Sequence, residues 1–181
     1  MTVIEEILAL YSRHGSEAYF GESVSMTEHG LQAAHFAREA GATPALIVAA
    51  LLHDVGHLIE DVAKDIADWT TDAAHERVGG EWLARRFPPG VSEPVRLHVP
   101  AKRYLLATDP GYRKLLSPAS LVTLNLQGGR MSPGEAARFE AEPFHPQAVL
   151  VRRCDDRGKI AGLATPALEE FAPMIEALSL G

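Results

Sequence analysis

The sequence predicts an all-α fold in one domain spanning residues 1–181. Three observations carry this. Apolar residues recur at three- and four-residue intervals along most of the chain. Helix-starting and helix-stopping residues punctuate it between those runs. No stretch alternates apolar and polar residues as a half-buried strand would.

The elements follow in order. Ile4, Ile7, Leu8 and Tyr11 fall on one helical face and predict an amphipathic first helix. Gly15 to Ser25 is mixed in character and reads as a loop. Thr27 caps a second helix that runs to Ala40 and stops at Gly41. Thr43-Pro44 opens a third, PALIVAALLHDVGHL, with proline at the first helical position. It is apolar almost all round, so it belongs in the centre of the molecule. A fourth helix is expected from near Asp72 to Phe87, ended by Pro88-Pro89-Gly90. A short one covers Ser92 to His98 and breaks near Pro100. Another covers Leu115 to Gln127, with Pro118 near its start. Ser132-Pro133-Gly134-Glu135 starts the next with a capping box. Pro146–Leu163 and Pro166–Leu178 complete the set. There is no internal repeat, low-complexity segment or linker, so the elements form a single helical bundle.

Composition narrows the function classes. A formal net charge of -7 and a pI near 5.6 argue against a nucleic-acid backbone or an anionic membrane as main partner. A local basic pocket for a small anion stays open. Cys154 is the single cysteine, so no internal disulfide forms, and a cytoplasmic location is expected. The N-terminus carries two glutamates and no basic segment, unlike a signal peptide. No apolar run reaches bilayer-spanning length.

The chemistry concentrates in histidine and aspartate. The adjacent pair His53-Asp54 lies inside the most apolar predicted helix, where both groups are costly unless bonded or coordinated. His29, His75, His98 and Asp155 fall on other predicted helices, and a small bundle can bring such groups to one point. Imidazole nitrogen and carboxylate oxygen suit iron, manganese or zinc. On a helix, neighbouring side chains point about 100° apart, so His53 and Asp54 both reach a site between their directions. With two oxygens, Asp54 is able to bridge two metals. Taken alone, the pair is equally a hydrogen-bonded helix end.

LLHDVGHL resembles the His-Asp signature of the HD-domain superfamily, and His29 lies 24 residues before His53, as the first family histidine should. The fold it implies is an HD-domain helical bundle. A narrower resemblance begins with Tyr19-Phe20-Gly21-Glu22-Ser23-Val24-Ser25, then Glu28-His29 and Leu31-Gln32. This opening is similar to that of the HD-domain organophosphonate oxygenases, mixed-valence diiron enzymes related to myo-inositol oxygenase. The resemblance spans about Tyr19 to Lys159.

That resemblance implies two Fe ions, Fe(II) and Fe(III). His29, His53 and Asp155 would hold one, His75 and His98 the other, and Asp54 would bridge them. Asp155 is chosen over Asp156 because Lys159 lies four residues on. His57, Lys102, Ser120, Thr123 and Arg152 would contact the substrate. Lysine offers a point charge and arginine a planar fork to an anion. Ser120 and Thr123 share a helix face. Tyr19 would occupy an iron position until substrate displaces it, with Glu22 as its partner. The implied reaction is O2-dependent cleavage of the C–P bond of a 1-hydroxy-alkylphosphonate. With a 2-amino or 2-trimethylammonio substituent, the products are phosphate and glycine or glycine betaine. The partners are then a small organophosphonate and O2. A metal-dependent phosphohydrolase of the same superfamily is the alternative. His14, His145, Cys154, Trp69 and Trp82 read as structural.

Overall fold

The computed structural model describes residues 1–19, 21–59 and 74–180. The described residues form α-helices joined by short turns, with one isolated β-bridge between Ala18 and Ser25. The helices are α1 (Val3–His14), α2 (Met26–Glu39), α3 (Pro44–Leu51), α4 (His75–Ala84) and α5 (Pro89–Thr108). They continue as α6 (Pro118–Leu126), α7 (Pro133–Glu140), α8 (His145–Arg157) and α9 (Ala172–Leu178). The all-α expectation holds.

Side-chain caps start several of these helices where the sequence supplies an oxygen. Thr2, Ser25 and Ser132 each accept from the backbone N–H three residues on, and Glu5, Glu28 and Glu135 reach back to close capping boxes. Ser25, not Thr27, is therefore the cap of α2. Thr43 and Ser117 cap α3 and α6, each followed by proline at the first position.

The core gathers around α3, which is buried from Leu46 to Leu51. α2, α5 and α8 pack around it, and α4 lies against α5. Ala33, Ala34, Val48, Leu52, Val95 and Val151 fill the space between them.

Several expected boundaries are corrected. α3 stops at Leu51 rather than running through His53-Asp54 to Leu58, and a 3₁₀ turn follows at Val55–Leu58. The cause lies in two carbonyls that would have continued the helix. Ala50 C=O accepts from the His53 ring at 2.8 Å, and Leu51 C=O accepts from the Tyr11 hydroxyl at 3.0 Å. The expected break near Pro100 does not occur. α5 runs through Pro94 and Pro100, because nearly every turn of it is buried between α4 and α8. That packing outweighs the roughly 3 kcal/mol that an interior proline costs. α8 ends at Arg157, and Gln32 clamps the following strap through both the N–H and the C=O of Ile160. The last predicted helix begins with a 3₁₀ turn at Leu168–Phe171 rather than at Pro166. Likewise Tyr112–Leu115 is a 3₁₀ turn ahead of α6. Phe20, Trp69 and the expected helix start near Asp72 lie outside the described residues. No described helix is long and apolar enough to cross a membrane.

Candidate metal centre

The six ligand-type side chains arrive on five elements. α2 brings His29, the turn after α3 brings His53 and Asp54, the start of α4 brings His75, the middle of α5 brings His98, and α8 brings Asp155. All six are buried. Close backbone approach makes the convergence possible. A Cβ on Gly30 would come 2.7 Å from the Leu51 carbonyl oxygen, so only glycine lets α2 lie this near the end of α3.

The groups form two trios that share Asp54: His29, His53 and Asp54, then Asp54, His75 and His98. Asp54 Oδ2 lies 3.3 Å from His53 Nε2 and 3.5 Å from His29 Nε2. Its Oδ1 lies 3.2 Å from His75 Nε2 and 3.5 Å from His98 Nε2. Asp155 joins the first trio, with Oδ1 3.4 Å from His29 Nε2 and Oδ2 3.8 Å from His53 Nε2. Asp156 turns away, toward Arg152 and Tyr112.

The ring orientations are those of metal ligands. His29 Nδ1 faces the carbonyl of Gly158 at 2.8 Å, His53 Nδ1 that of Ala50 at 2.8 Å, and His98 Nδ1 that of Val95 at 2.7 Å. Each carbonyl accepts a hydrogen bond from a protonated Nδ1, which leaves the inward-pointing Nε2 as the nitrogen a metal would take. His75 Nδ1 instead faces Glu76 Oε2 at 3.7 Å. The Nε2 atoms of His29 and His53 are 3.0 Å apart, and those of His75 and His98 are 3.2 Å apart. Two nitrogens bound at about 2.1 Å and at right angles on one ion would lie about 3.0 Å apart. Asp54 Oδ2 and Asp155 Oδ1 are buried without a hydrogen-bond partner, which a cation held at the first trio would relieve. The donor set fits a metal at each trio.

Electrostatics agree. Burial alone would raise the Asp54 carboxyl, but the surrounding imidazoles, His53 first, hold it well below the usual carboxylate range. Burial would also raise Asp155, and the Arg152 and Lys159 charges hold it far down. For His29, burial pulls down, and the neighbouring Asp155 and Asp54 carboxylates outweigh it, raising the ring to about 9, so a metal at Nε2 would replace the proton held there. Two carboxylates kept ionised in a dry pocket form a well for cations.

The remaining predicted site residues border this centre. His57 does not continue the predicted helix, which ends at Leu51. It lies on the 3₁₀ turn, stacked on His75 at 3.9 Å between ring centroids, with Nε2 4.0 Å from Asp54 Oδ1. Burial, then the His75 charge, hold it well below its ordinary value, so it is neutral near pH 7. Tyr19 stacks on His29 with centroids 3.9 Å apart and planes 17° from parallel. Burial, then the Asp54 and Asp155 charges, push its phenol well above its ordinary range, so it stays protonated. Gly21, at φ 78, closes the turn in which Glu22 N–H donates to the Tyr19 carbonyl at 2.7 Å. Glu22 Oε1 lies 3.9 Å from Lys159 Nζ.

Lys102 Nζ donates to Thr123 Oγ1 at 3.1 Å, and Lys159 Nζ to Ser120 Oγ at 3.0 Å. Thr123 Oγ1 also donates back to the Ser120 carbonyl at 3.2 Å. Arg152 Nη1 meets Asp155 Oδ2 at 2.7 Å. Lys102, Lys159 and Arg152 thus form one cationic wall beside the first trio, and α6 lays two hydroxyls across it. In the sequence, Lys159 serves only to fix the register of Asp155. Its spacing, one turn beyond a buried carboxylate, was the signal that places it here. Tyr112 carried no such signal, since its partners Arg152 and Asp156 lie 40 and 44 residues away; Asp156 forms an i,i+4 pair with Arg152, a spacing common on solvated helix faces.

The HD domain matches residues 26–156, which hold both trios. The chain belongs to the HD-domain family. This HD-domain chain is 44% identical over 174 residues to a [1-hydroxy-2-(trimethylamino)ethyl]phosphonate dioxygenase (glycine-betaine-forming) of Leisingera caerulea, covering 96% of the chain and 89% of the relative. It is also 44% identical over 174 residues to a hydroxymethylphosphonate dioxygenase of Gimesia maris, covering 96% and 86%. An uncharacterized protein of Acanthamoeba polyphaga mimivirus is 35% identical over 179 residues, covering 97% and 82%.

Proposed function

We propose that this chain is a diiron dioxygenase that cleaves the C–P bond of a 1-hydroxy-alkylphosphonate with O2. The observation that carries the reading is the division of Asp54: one oxygen faces His29 and His53, the other His75 and His98. Such an arrangement suits paired metals about 3.5–4 Å apart. His29, His53 and Asp155 would hold one iron, His75 and His98 the other, with Asp54 shared. An Fe(II)/Fe(III) pair, once bound, supplies the one-electron and O2 chemistry that no side chain here offers.

The protein's own residues do the rest. The substrates in the two relatives' names share a 1-hydroxyphosphonate group, and the cationic wall suits that group. Lys102, Lys159 and Arg152 neutralise the phosphonate, and Ser120 and Thr123 replace water at its oxygens. His57, neutral and stacked on His75, is a polar contact on the other side. Tyr19, lying over His29, blocks the first position until substrate arrives, and Glu22 faces the substrate's far end. The overall reaction balances: R–CH(OH)–PO3H2 plus O2 gives R–COOH plus H3PO4. The C–P bond breaks, carbon is oxidised and O2 is reduced.

The test is phosphate release from hydroxymethylphosphonate and from 2-amino- and 2-trimethylammonio-1-hydroxyethylphosphonate, with ferrous iron, in air and without oxygen. Release that requires O2 is expected, and the fastest substrate identifies the substituent. Hydrolysis of phosphate esters without O2, and no release from any phosphonate, would move the chain to the phosphohydrolases of the family.

A further inference from the structure

Arg152 is fixed from behind by two residues that touch neither trio. Its Nε donates to the Tyr112 hydroxyl at 3.0 Å, and its Nη2 meets Asp156 Oδ1. The Tyr112 hydroxyl donates in turn to Asp156 Oδ2. Guanidinium, carboxylate and phenol close a ring of three hydrogen bonds. Tyr112 is wholly buried on its 3₁₀ turn, and Asp156 lies one helical turn beyond Arg152.

This ring decides what Arg152 presents to the site. A guanidinium prefers to grip a carboxylate with two parallel N–H groups. Asp155 is the nearer neighbour of the trios, and a two-pronged grip would draw its oxygens away from His29 and His53. Asp156 and Tyr112 occupy the Nε–Nη2 edge, so Asp155 receives a single contact from Nη1 at 2.7 Å. Asp155 Oδ1 stays without a hydrogen-bond partner, 3.4 Å from His29 Nε2. A guanidinium has five N–H donors. Three serve Tyr112, Asp156 and Asp155, and the other two remain for an anion.

We propose that Tyr112 and Asp156 are a positioning pair that keeps Arg152 from gripping Asp155 and aims its remaining donors at the substrate's phosphonate. Only the identity of the anion rests on the function proposed above. Tyr112→Phe and Asp156→Asn test the pair. Each variant is loaded with ferrous iron anaerobically, and inorganic phosphate binding is measured by calorimetry beside KM and kcat for hydroxymethylphosphonate. A hydrogen bond to a charged group contributes about 1.5–3 kcal/mol, so phosphate affinity is expected to fall about tenfold or more. KM rises by a similar factor, and kcat for Tyr112→Phe stays within about threefold of the parent. Phosphate affinity within about twofold of the parent in Tyr112→Phe, whatever its thermal midpoint, overturns the pair. That variant removes one oxygen and keeps the buried ring, so it decides alone should Asp156→Asn not fold. A parent that binds phosphate but releases none from phosphonates in air defeats the dioxygenase reading and leaves the pair to be judged on phosphate affinity. A parent with iron that binds no phosphate defeats the pair as well.

Discussion

His29 and Gly158 are joined across the molecule: the His29 ring Nδ1 lies 2.8 Å from the Gly158 carbonyl oxygen. The contact ties the first ligand helix to the end of α8, three residues past Asp155. It fixes the tautomer of His29 and the position of the chain that carries Asp155 at once.

Gly158 is therefore a sensitive position although it is no ligand. A Cβ there would lie 3.1 Å from the His29 carbonyl oxygen and 3.2 Å from Nδ1. Gly158→Ala is expected to tilt the ring and lower metal affinity about tenfold, the lower end for losing an outer partner of a ligand histidine. Competition of the loaded protein against a chelator measures this, and an unchanged affinity would show that α8 gives way instead.

Gly56 makes the equivalent test of the second trio. A Cβ on it would collide with the His75 carbonyl oxygen and come within 2.8 Å of the carbonyl carbon, both backbone atoms that move only with α4. Gly56→Ala is expected to destabilise the fold by about 1–3 kcal/mol, as overpacking does. It should also displace His75, so the second metal is lost first. Thermal unfolding with metal counting at half saturation separates the two effects.

How far the sequence predicted this site depends on the kind of residue. His53-Asp54 was legible because titratable groups in an apolar helix need a partner, and His29, His75, His98 and Asp155 through the resemblance to the HD-domain family; the structure brings all six together. Helix starts were legible from caps, apart from the serine-for-threonine choice at α2. The end of α3 was not, because it is set by the Tyr11 hydroxyl taking the Leu51 carbonyl from 40 residues away. The continuity of α5 through Pro100 was hidden too, since local propensity favours a break and burial between α4 and α8 decides otherwise. The Tyr112–Asp156–Arg152 ring belongs with these: it depends on a distant contact that no local pattern encodes.

The sharing of Asp54 gives a direct substitution test. Asp54→Asn keeps the shape and one oxygen but removes the charge, so it should leave the fold intact and weaken both positions together. If both positions take iron as proposed, metal content after anaerobic loading is expected to fall well below two ions per chain, with turnover reduced about a hundredfold. Loss confined to one ion would instead mean that Asp54 serves a single metal, and the paired reading would fail.

The last test concerns Lys102, whose ammonium is buried beside Arg152. Burial first, then the Arg152 charge, push it down to about 7 from 10.5. The sign follows from where protons bind. Between these two values the unfolded chain holds a proton on this lysine and the folded chain does not, so its contribution to stability rises with pH across that window. Below about 7 the folded protein carries the charge at a cost, and that charge is what an anion needs. Anion affinity should therefore be greatest below pH 7 and fall up to about tenfold per unit above it. Inorganic sulfate, dianionic across this range, isolates the protein's own titration. Its inhibition constant against hydroxymethylphosphonate should rise from about pH 7 to 9 in the parent. In Lys102→Arg, whose guanidinium stays charged, the curve should be flat. A flat curve in the parent would remove Lys102 from the anion site.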